Sequence, residues 1–340
     1  MQWPPRIVVA GEVWRGATAP ALAEGFRRAG WLVEIVDLGS FMPRLGRVAG
    51  RLLRKLATAH YNKAIEATCT AFGAHALLVV KGNYISSRML ARLRGREVRT
   101  CLFYPDVEFD HPGIEPGLHR EFDFVFTTKS YHQGFLSREL GEDRFALIHH
   151  GFDPMVHRNP LPLGAKPERD LVFIGNFSEY KRNFLSPLAD AGVEDFAIMG
   201  HRWERAQGTP LARFVVPMAP VGDLYALELA RSKIAIGLHH GPVRTPGWED
   251  LVSTRTFEIP ACGPLMLHID NDEIRSAFDA DNEAVLFRDS GELAEKVCYF
   301  LDHSGESRAI AAAGTKRAQQ EHSYWHRAQD MAEILEQRLL

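Results

Sequence analysis

The sequence predicts an α/β protein with two Rossmann-like domains that face a cleft. A strand–helix alternation begins at residue 6, a proline-rich segment at 159–167 interrupts it, and the alternation restarts at residue 170. Strands that alternate with helices are typical of βαβ units and parallel sheets. A chain of 340 residues is long enough to bury two such cores. We therefore place an N-terminal domain at 1–160, a C-terminal domain at 161–320 and a final helix at 321–340.

Apolar runs in the first half predict six strands, at 6–10, 32–38, 75–81, 98–104, 122–128 and 144–149. The turn after the first strand is not GxGxxG, so a dinucleotide site is not predicted there. Polar groups just past the carboxyl ends of parallel strands lie where open α/β sheets bind ligands. Asp106 follows its strand most directly and is the candidate catalytic base. The other candidates for acceptor or cleft contact are Glu12, Arg15, Asp110 and His150, with ordinary polar turns as the alternative interpretation.

Residues 44–55 form a basic segment without an acidic residue. At the helical period, its basic side chains fall on one stripe. That stripe is either a solvated helix face or a contact with an anionic membrane surface or a phosphorylated acceptor. The residues concerned are Arg44, Arg47, Arg51, Arg54 and Lys55.

Composition excludes several classes of protein. Apolar residues make up 46% and charged residues 24%, and the formal net charge is −3, which favours a soluble globular protein and argues against general nucleic-acid binding. The four cysteines form no CxxC pair and the acidic loop at 106–110 lacks a ligand cluster, so we predict no metal site. The sequence shows neither a signal-peptide pattern nor a membrane span of ~20 apolar residues. We expect a cytoplasmic protein, with 44–55 as a candidate peripheral contact at the inner membrane surface.

The first strand of the second half, at 170–175, is followed by a turn suited to phosphate. Gly175, which Asn176 follows, allows the backbone to approach a phosphate closely. Lys181 or Arg182 supplies positive charge. The alternative is a basic helix start on the surface. Further strands are predicted at 196–199, 213–216, 233–238, 264–267 and 283–287. His240, just past one of them, is a candidate phosphate contact.

The segment 248–270 predicts a capped helix followed by a buried strand. Ser253 or Thr254 caps the helix, Pro260 shortens or kinks it and Gly263 ends it. Helix N-termini attract phosphate through their unpaired N–H groups and the helix dipole. Arg255 and Glu258 are three residues apart and share a face, so the arginine can hold a pyrophosphate oxygen while the carboxylate accepts from ribose hydroxyls. A surface Arg–Glu pair is the alternative.

The run RTFEIPACG, from Arg255 to Gly263, resembles the donor-site signature of GT-B glycosyltransferases, in the family 4-like, CgeB-like (spore maturation protein) branch. The resemblance implies a GT-B fold whose last helix crosses back to the N-terminal domain. It also implies that Glu258 meets the nucleotide ribose and that Asp250, eight positions earlier, faces the donor sugar. Asn176 stands where the family commonly has an arginine, so the charge-neutralising role passes to Lys181 and Arg182.

The predicted function is glycosyl transfer from a nucleotide-diphosphate sugar, UDP- or GDP-linked, to a glycan, lipid-linked or protein acceptor. Negative charge builds on the leaving diphosphate, and a helix N-terminus with Lys181, Arg182 and Arg255 would stabilise it without an essential cofactor or metal. An inverting reaction would use a base such as Asp106, whereas a retaining one needs none. The alternatives are a non-hydrolysing sugar-nucleotide epimerase and a catalytically degenerate nucleotide-sugar-binding protein.

Overall fold

The computed structural model describes residues 4–42 and 47–338, apart from the side chains of residues 47–52. These residues form two compact units, one running up to His150 and resuming at Tyr324, the other spanning Gly151–Ser323. The division falls at 150 rather than at the predicted 160, because Phe152 belongs to the second core. Phe152 is 2% exposed and packs with the residues of that core. Its N–H donates to the carbonyl of His322.

The first unit is built on one sheet of six parallel strands in the order β2-β1-β3-β4-β5-β6. The central strands are nearly continuous runs of buried apolar residues, as expected for a parallel sheet covered on both faces. The strands are β1 Arg6–Gly11, β2 Leu32–Asp37, β3 Ala76–Val80, β4 Arg99–Tyr104, β5 Phe124–Thr127 and β6 Phe145–Leu147. The helices that connect them are α1 Thr18–Arg28, α2 Arg47–Phe72, α3 Ser87–Arg94 and α4 Gln133–Leu140.

The predicted basic stripe lies only partly within the described residues. Arg44 is outside them, as are the side chains of Arg47 and Arg51, whereas Arg54 and Lys55 are exposed on α2. Membrane contact by this stripe therefore stays a prediction. Across the ranges 4–42 and 47–338, no helix is long and apolar enough to span a bilayer.

The second unit has a five-stranded parallel sheet in the order β13-β12-β9-β7-β8, and a two-residue antiparallel pair, β10 with β11. Its strands are β7 Arg169–Ile174, β8 Phe196–Met199, β9 Ser232–Gly237, β10 Gly241–Pro242, β11 Glu249–Asp250, β12 Leu265–Ile269 and β13 Val285–Phe287. Its helices are α5 Glu179–Leu185, α6 Gly222–Ala230, α7 Thr254–Cys262, α8 Asp272–Ala277, α9 Ser290–Asp302 and α10 Ser304–Glu321.

The strand predicted at 213–216 is wrong. Pro210 starts a 3-10 turn that runs to Phe214 and buries Leu211 and Phe214, and Val215 alone bridges to Ile198 of β8. Proline favours the first position of such a helical turn because its φ is already helical. The apolar run is therefore a core turn at the edge of the sheet.

The last helix, α11 Tyr324–Arg338, packs against α1 in the first unit. Its buried face includes Ala328, Met331 and Leu335. Trp31 Nε1 donates to Glu336 Oε1 at 3.0 Å. The predicted fold class, two Rossmann-like halves, is confirmed by the two parallel sheets.

Candidate functional site

Helix α7 begins at the edge of the second sheet where the strands end. Ser253 is its N-cap and Thr256, three residues on, accepts from the Ser253 N–H at 3.3 Å. Pro260 lies inside the helix and Gly263, with φ +105°, ends it after nine residues, so the predicted short capped helix is confirmed. The first N–H groups of a helix have no intrahelical partner. The start of α7 is therefore suited to bind an anion.

The turn after β7 brings backbone close to α7. Gly175 donates to the carbonyl of Met199 at 2.9 Å, and its own carbonyl accepts from Trp203 Nε1 at 2.7 Å. Gly200 packs against it with φ +136°, where an added Cβ would lie 2.2 Å from the Gly175 oxygen. Only glycine fits that position. The turn is thus held from one side by β8 and from the other by the indole.

Arg255, in the first turn of α7, extends to this turn. A Cβ placed on Gly175 would lie 3.5 Å from Arg255 Cζ. The Nε atom of Arg255 is buried and has no hydrogen-bond partner, and among the described residues Arg255 forms no ion pair. The surface Arg–Glu pair considered from the sequence is therefore not formed. A buried guanidinium N–H without a partner is costly and is the kind of group that a bound oxyanion would satisfy.

Lys181, in the first turn of α5, is a second buried cation beside it. The side chain is 2% exposed, and its Nζ donates to the carbonyl of Asn176 at 3.1 Å. Burial, followed by the positive charge of Arg255, lowers the pKa of Lys181 to about 7, and the carboxylate of Asp250 opposes this shift. A lysine with a pKa near 7 is partly neutral at pH 7, and a bound anion stabilises its charged form.

The two other predicted residues of this turn are placed differently. Arg182 is about one-third exposed, and its Nη1 pairs with Glu179 Oε2 at 2.8 Å. Asn176 uses its side-chain oxygen to accept from the N–H of His201 at 3.1 Å. Arg202, which the sequence analysis did not single out, acts on Lys181 as a further nearby positive charge and has φ +67°.

Glu258 lies one turn further along α7 and forms no ion pair with Arg255. Its Oε1 is 3.7 Å from Nε2 of His157, and the side chains are 12% and 4% exposed. The Nδ1 of His157 accepts from the Asp153 N–H at 3.1 Å, which leaves the neutral ring's proton on Nε2, toward the carboxylate.

Tyr225 of α6 completes this group. Its ring packs edge-on against His157 at 5.8 Å, and its buried hydroxyl has no hydrogen-bond partner. Burial, and then the charge of Glu258, raise the pKa of Tyr225 well above its ordinary value. Two potential donors, the imidazole and the phenol, thus lie close to one carboxylate.

A buried histidine network supports the start of α7. His239, just past β9, contacts Ser253 Oγ through Nδ1 at 2.8 Å, and its Nε2 lies 2.9 Å from Nε2 of His268 on β12. Thr256 Oγ1 lies 2.9 Å from the same His268 nitrogen. Burial lowers the pKa of His268 to about 4, so that ring is neutral near pH 7. His240, the residue predicted to contact phosphate, is exposed. Its neighbour His239 is the histidine that contacts the start of α7.

Asp250 and Thr254 flank this network. Asp250 is 2% exposed and pairs with Gly241 in the small β10–β11 ladder. Thr254 is the first residue of α7 and is half-buried. The structure therefore brings together, in one unit, the start of α7, the turn at Gly175, Lys181, Arg255 and Asp250.

The candidates in the first unit lie at the ends of β1 and β4. Asp106 Oδ2 is 3.0 Å from Lys81 Nζ and 3.8 Å from His111 Nε2. Glu12 Oε2 accepts from Trp14 Nε1 at 3.4 Å, beside a small cavity of about 120 Å³ that Lys81 also lines.

The remaining first-unit candidates are Arg15, Asp110 and His150. Arg15 and Asp110 are exposed. His150 is buried, and its carbonyl accepts from Arg327 Nε at 3.1 Å. In the part of the chain that the structure describes, no three metal-binding side chains are gathered closely enough to hold an ion.

Several residues of this site escaped the sequence analysis. His157 and Tyr225 lie about 100 and 33 positions before Glu258, and no local pattern links them. His239 carried a usable signal, since residues alternate between the faces of a strand. His239 is four residues after Ala235 and so points to the same face, where Ala235 packs in the core beside α7. Ile236 and Leu238 point to the opposite face and pack in the other core.

Comparison with known proteins places the fold. Residues 178–333 match a family model described as "Glycosyl transferase-like". Sucrose-phosphate synthase from Thermosynechococcus elongatus superimposes with a TM-score of 0.65 at 13% identity, covering 98% of both chains. Anabaena Alr3699/HepE, in complex with UDP and glucose, gives 0.62 at 13% identity over 98% of this chain and 100% of that one.

UDP-GlcNAc 2-epimerase from Neisseria meningitidis, bound to UDP-GlcNAc, gives a TM-score of 0.55 at 11% identity, covering 98% of this chain and 100% of the other. No curated protein sequence matches the chain. The protein therefore has the GT-B fold. More particularly, the segment that matches the glycosyltransferase-like model begins at the N-cap of α5, includes the whole of α7 and extends into α11.

Proposed function

We propose that the protein is a glycosyltransferase that moves a sugar from a nucleotide-diphosphate donor, held by the second unit, to an acceptor held by the first. The observation that carries the proposal is the pair of cations formed by Lys181 of α5 and Arg255 of α7. Lys181 and Arg255 are gathered beside a glycine turn, and among the described residues neither forms an ion pair. Such a pocket suits a diphosphate. The segment Arg255–Gly263 supports a place in the CgeB-like branch.

In the reaction, the bond between the sugar anomeric carbon and the diphosphate oxygen breaks and a bond to the acceptor oxygen forms. Negative charge develops on the leaving diphosphate, and the acceptor hydroxyl loses its proton. Preorganised cations and helix N–H groups stabilise that charge without needing to reorganise. Lys181 and Arg255 stabilise the leaving diphosphate, and Arg182 lies at the edge of their pocket. The leaving group can be UDP or GDP. Asp250 orients the sugar, and in an inverting reaction Asp106 would accept the proton.

The fold is shared with the epimerase, which would use the same donor without an acceptor. The first-unit group of Glu12, Lys81 and Asp106 favours transfer, because it places polar side chains where an acceptor hydroxyl would bind. Product analysis with and without acceptor distinguishes the two reactions. Donor conversion without any acceptor would favour epimerisation.

Glu258→Ala tests the donor site directly. We expect the variant to bind UDP or GDP at least about tenfold more weakly, because hydrogen bonds from the ribose to a charged carboxylate are worth about 1.5–3 kcal/mol. The measurement is isothermal titration with each nucleotide and with its 2′,3′-dideoxy form. The wild type should discriminate between the two forms and the variant should not. Equal affinities of both proteins for the ribonucleotide would contradict the ribose role.

His157 acts as a positioning residue for that carboxylate. Its Nε2–H faces Glu258, and the N–H of Asp153 holds the ring in that tautomer. His157→Leu is expected to reduce the discrimination between ribo and dideoxy nucleotides about five- to tenfold, whereas His157→Gln, whose amide nitrogen can replace Nε2, should restore most of it. A uniform loss of affinity for both forms in both variants would indicate a merely structural role.

A further inference from the structure

A cavity of about 480 Å³ lies in the second unit at the edge of the sheet where the strands begin. Pro167, just before β7, Ser232, which begins β9, and Gly263, just before β12, all line it. The candidate donor site lies at the other edge, where the same strands end. The volume is within the range of small-ligand pockets, roughly 300–1,000 Å³. This cavity is therefore a separate place of ligand size.

The charged residues that line the cavity are all basic. Lys166, Lys233 and Arg308 line it, and none of the described lining residues is acidic. Lys233 is neutralised by Asp170 at 2.6 Å, whereas Lys166 and Arg308 have no ion pair within the described ranges. Two exposed cations without an ion pair among the described residues thus line one opening of a protein whose formal net charge is −3.

Helix α10 begins at the same opening. Its N-cap position is His303, which makes no side-chain cap, so the first N–H groups are without a side-chain acceptor. Ser307, one turn in, is 6% exposed and lines the cavity, and its hydroxyl has no hydrogen-bond partner. A hydroxyl that lines a cavity and has no partner among the described residues can donate to a ligand acceptor.

Part of the remaining wall is apolar. Pro167 and Ala165 from the segment before β7 face Phe300 of α9 and Ala311 of α10. A ligand that satisfied the cations and also filled this space would have an anionic head and an apolar body. An inorganic anion alone would leave the apolar wall in contact with water.

We propose that this cavity binds an amphipathic organic anion, with its phosphate or carboxylate head at Lys166, Arg308, Ser307 and the first turn of α10, and its apolar body against Pro167, Phe300 and Ala311. The site is independent of the donor site and of the proposed glycosyl transfer. Decyl phosphate and decanoate represent ligands with the two head groups. Decanol represents the apolar body alone, and inorganic phosphate represents the anionic head alone.

The test is isothermal titration of the full chain with these four probes. We expect decyl phosphate or decanoate, whichever head group the site prefers, to bind at least about tenfold more tightly than decanol or inorganic phosphate. Lys166→Gln/Arg308→Gln should weaken that binding about five- to tenfold. Arg158→Gln/Lys316→Gln removes the same two charges from exposed positions of the same unit and should leave it unchanged.

Three results would overturn the proposal. Decanol binding as tightly as both anionic probes would show that the head group is not recognised. Equal affinities in the two double variants would show that Lys166 and Arg308 do not hold it. Displacement of the probe by UDP would place it in the donor site. A wild type that binds the probe but neither UDP nor GDP would contradict the proposed glycosyl transfer and leave this site standing.

Discussion

Arg255→Gln is expected to lower the rate of glycosyl transfer by about 10²–10³-fold, the cost of removing one preorganised donor to a developing oxyanion. The reason is local, because the guanidinium lies at the turn after β7 with a buried N–H that no described residue satisfies. The measurement is steady-state turnover at saturating donor, so that loss of ground-state binding is separated from loss of transition-state stabilisation.

Arg288→Gln is the matched control for that substitution. Arg288 is three-quarters exposed and pairs with Glu292 at 3.0 Å, so its loss should change turnover less than about twofold. Arg182→Gln, whose guanidinium already pairs with Glu179, should lose less than Arg255→Gln. Full turnover in a correctly folded Arg255→Gln protein would remove Arg255 from the diphosphate site.

Nucleotide binding at pH 8 is expected to take up close to one proton at Lys181. With a pKa of about 7, roughly nine-tenths of these side chains are neutral at pH 8 in the free protein. A bound diphosphate favours the charged form and raises the pKa, so the ammonium is regained on binding. Affinity should accordingly fall as pH rises from 7 to 9. Titration calorimetry in two buffers of different ionisation enthalpy measures the uptake directly.

Lys181→Met should abolish this uptake and weaken UDP or GDP binding by about tenfold or more, since a charge-assisted contact is lost. Lys316→Met, which removes an exposed lysine of the same unit, should retain both the uptake and the affinity. Proton uptake that survives Lys181→Met would assign the titration to another group, and binding without any uptake would contradict a diphosphate contact at this amine.

The predicted donor helix shows how far local pattern extends. Cap, proline and terminal glycine are signals within one run of sequence. They placed the end of α7 at Gly263 and left its cap open between Ser253 and Thr254, of which the structure has Ser253. Arg255 and Glu258 were selected because a helix fixes the relative direction of residues three apart. What that reasoning left open was whether they pair with each other. In the fold, Arg255 extends to the turn at Gly175 while Glu258 faces His157.

The roles proposed for Arg182 and His240 show where local pattern ends. Basic residues at the start of a helix are equivalent in sequence, yet Lys181 is buried beside Arg255 whereas Arg182 lies outward against Glu179. Adjacent histidines differ in the same way, since His239 enters the network under α7 and His240 is exposed. One residue of offset on a helix or strand turns a side chain to another face.

By itself, the sequence determined the two parallel-sheet halves, the bounds of α7 to within one residue and the candidate residues of the proposed nucleotide-sugar site, because hydrophobic period, capping and turn chemistry act over a few residues. The tertiary structure decided which cations are buried together, which carboxylate faces His157 and Tyr225, and that a cationic cavity forms where Lys166 meets α10. These depend on contacts between residues up to about 140 positions apart. Burial and electrostatic coupling arise only when such residues are packed together, so no local pattern encodes them.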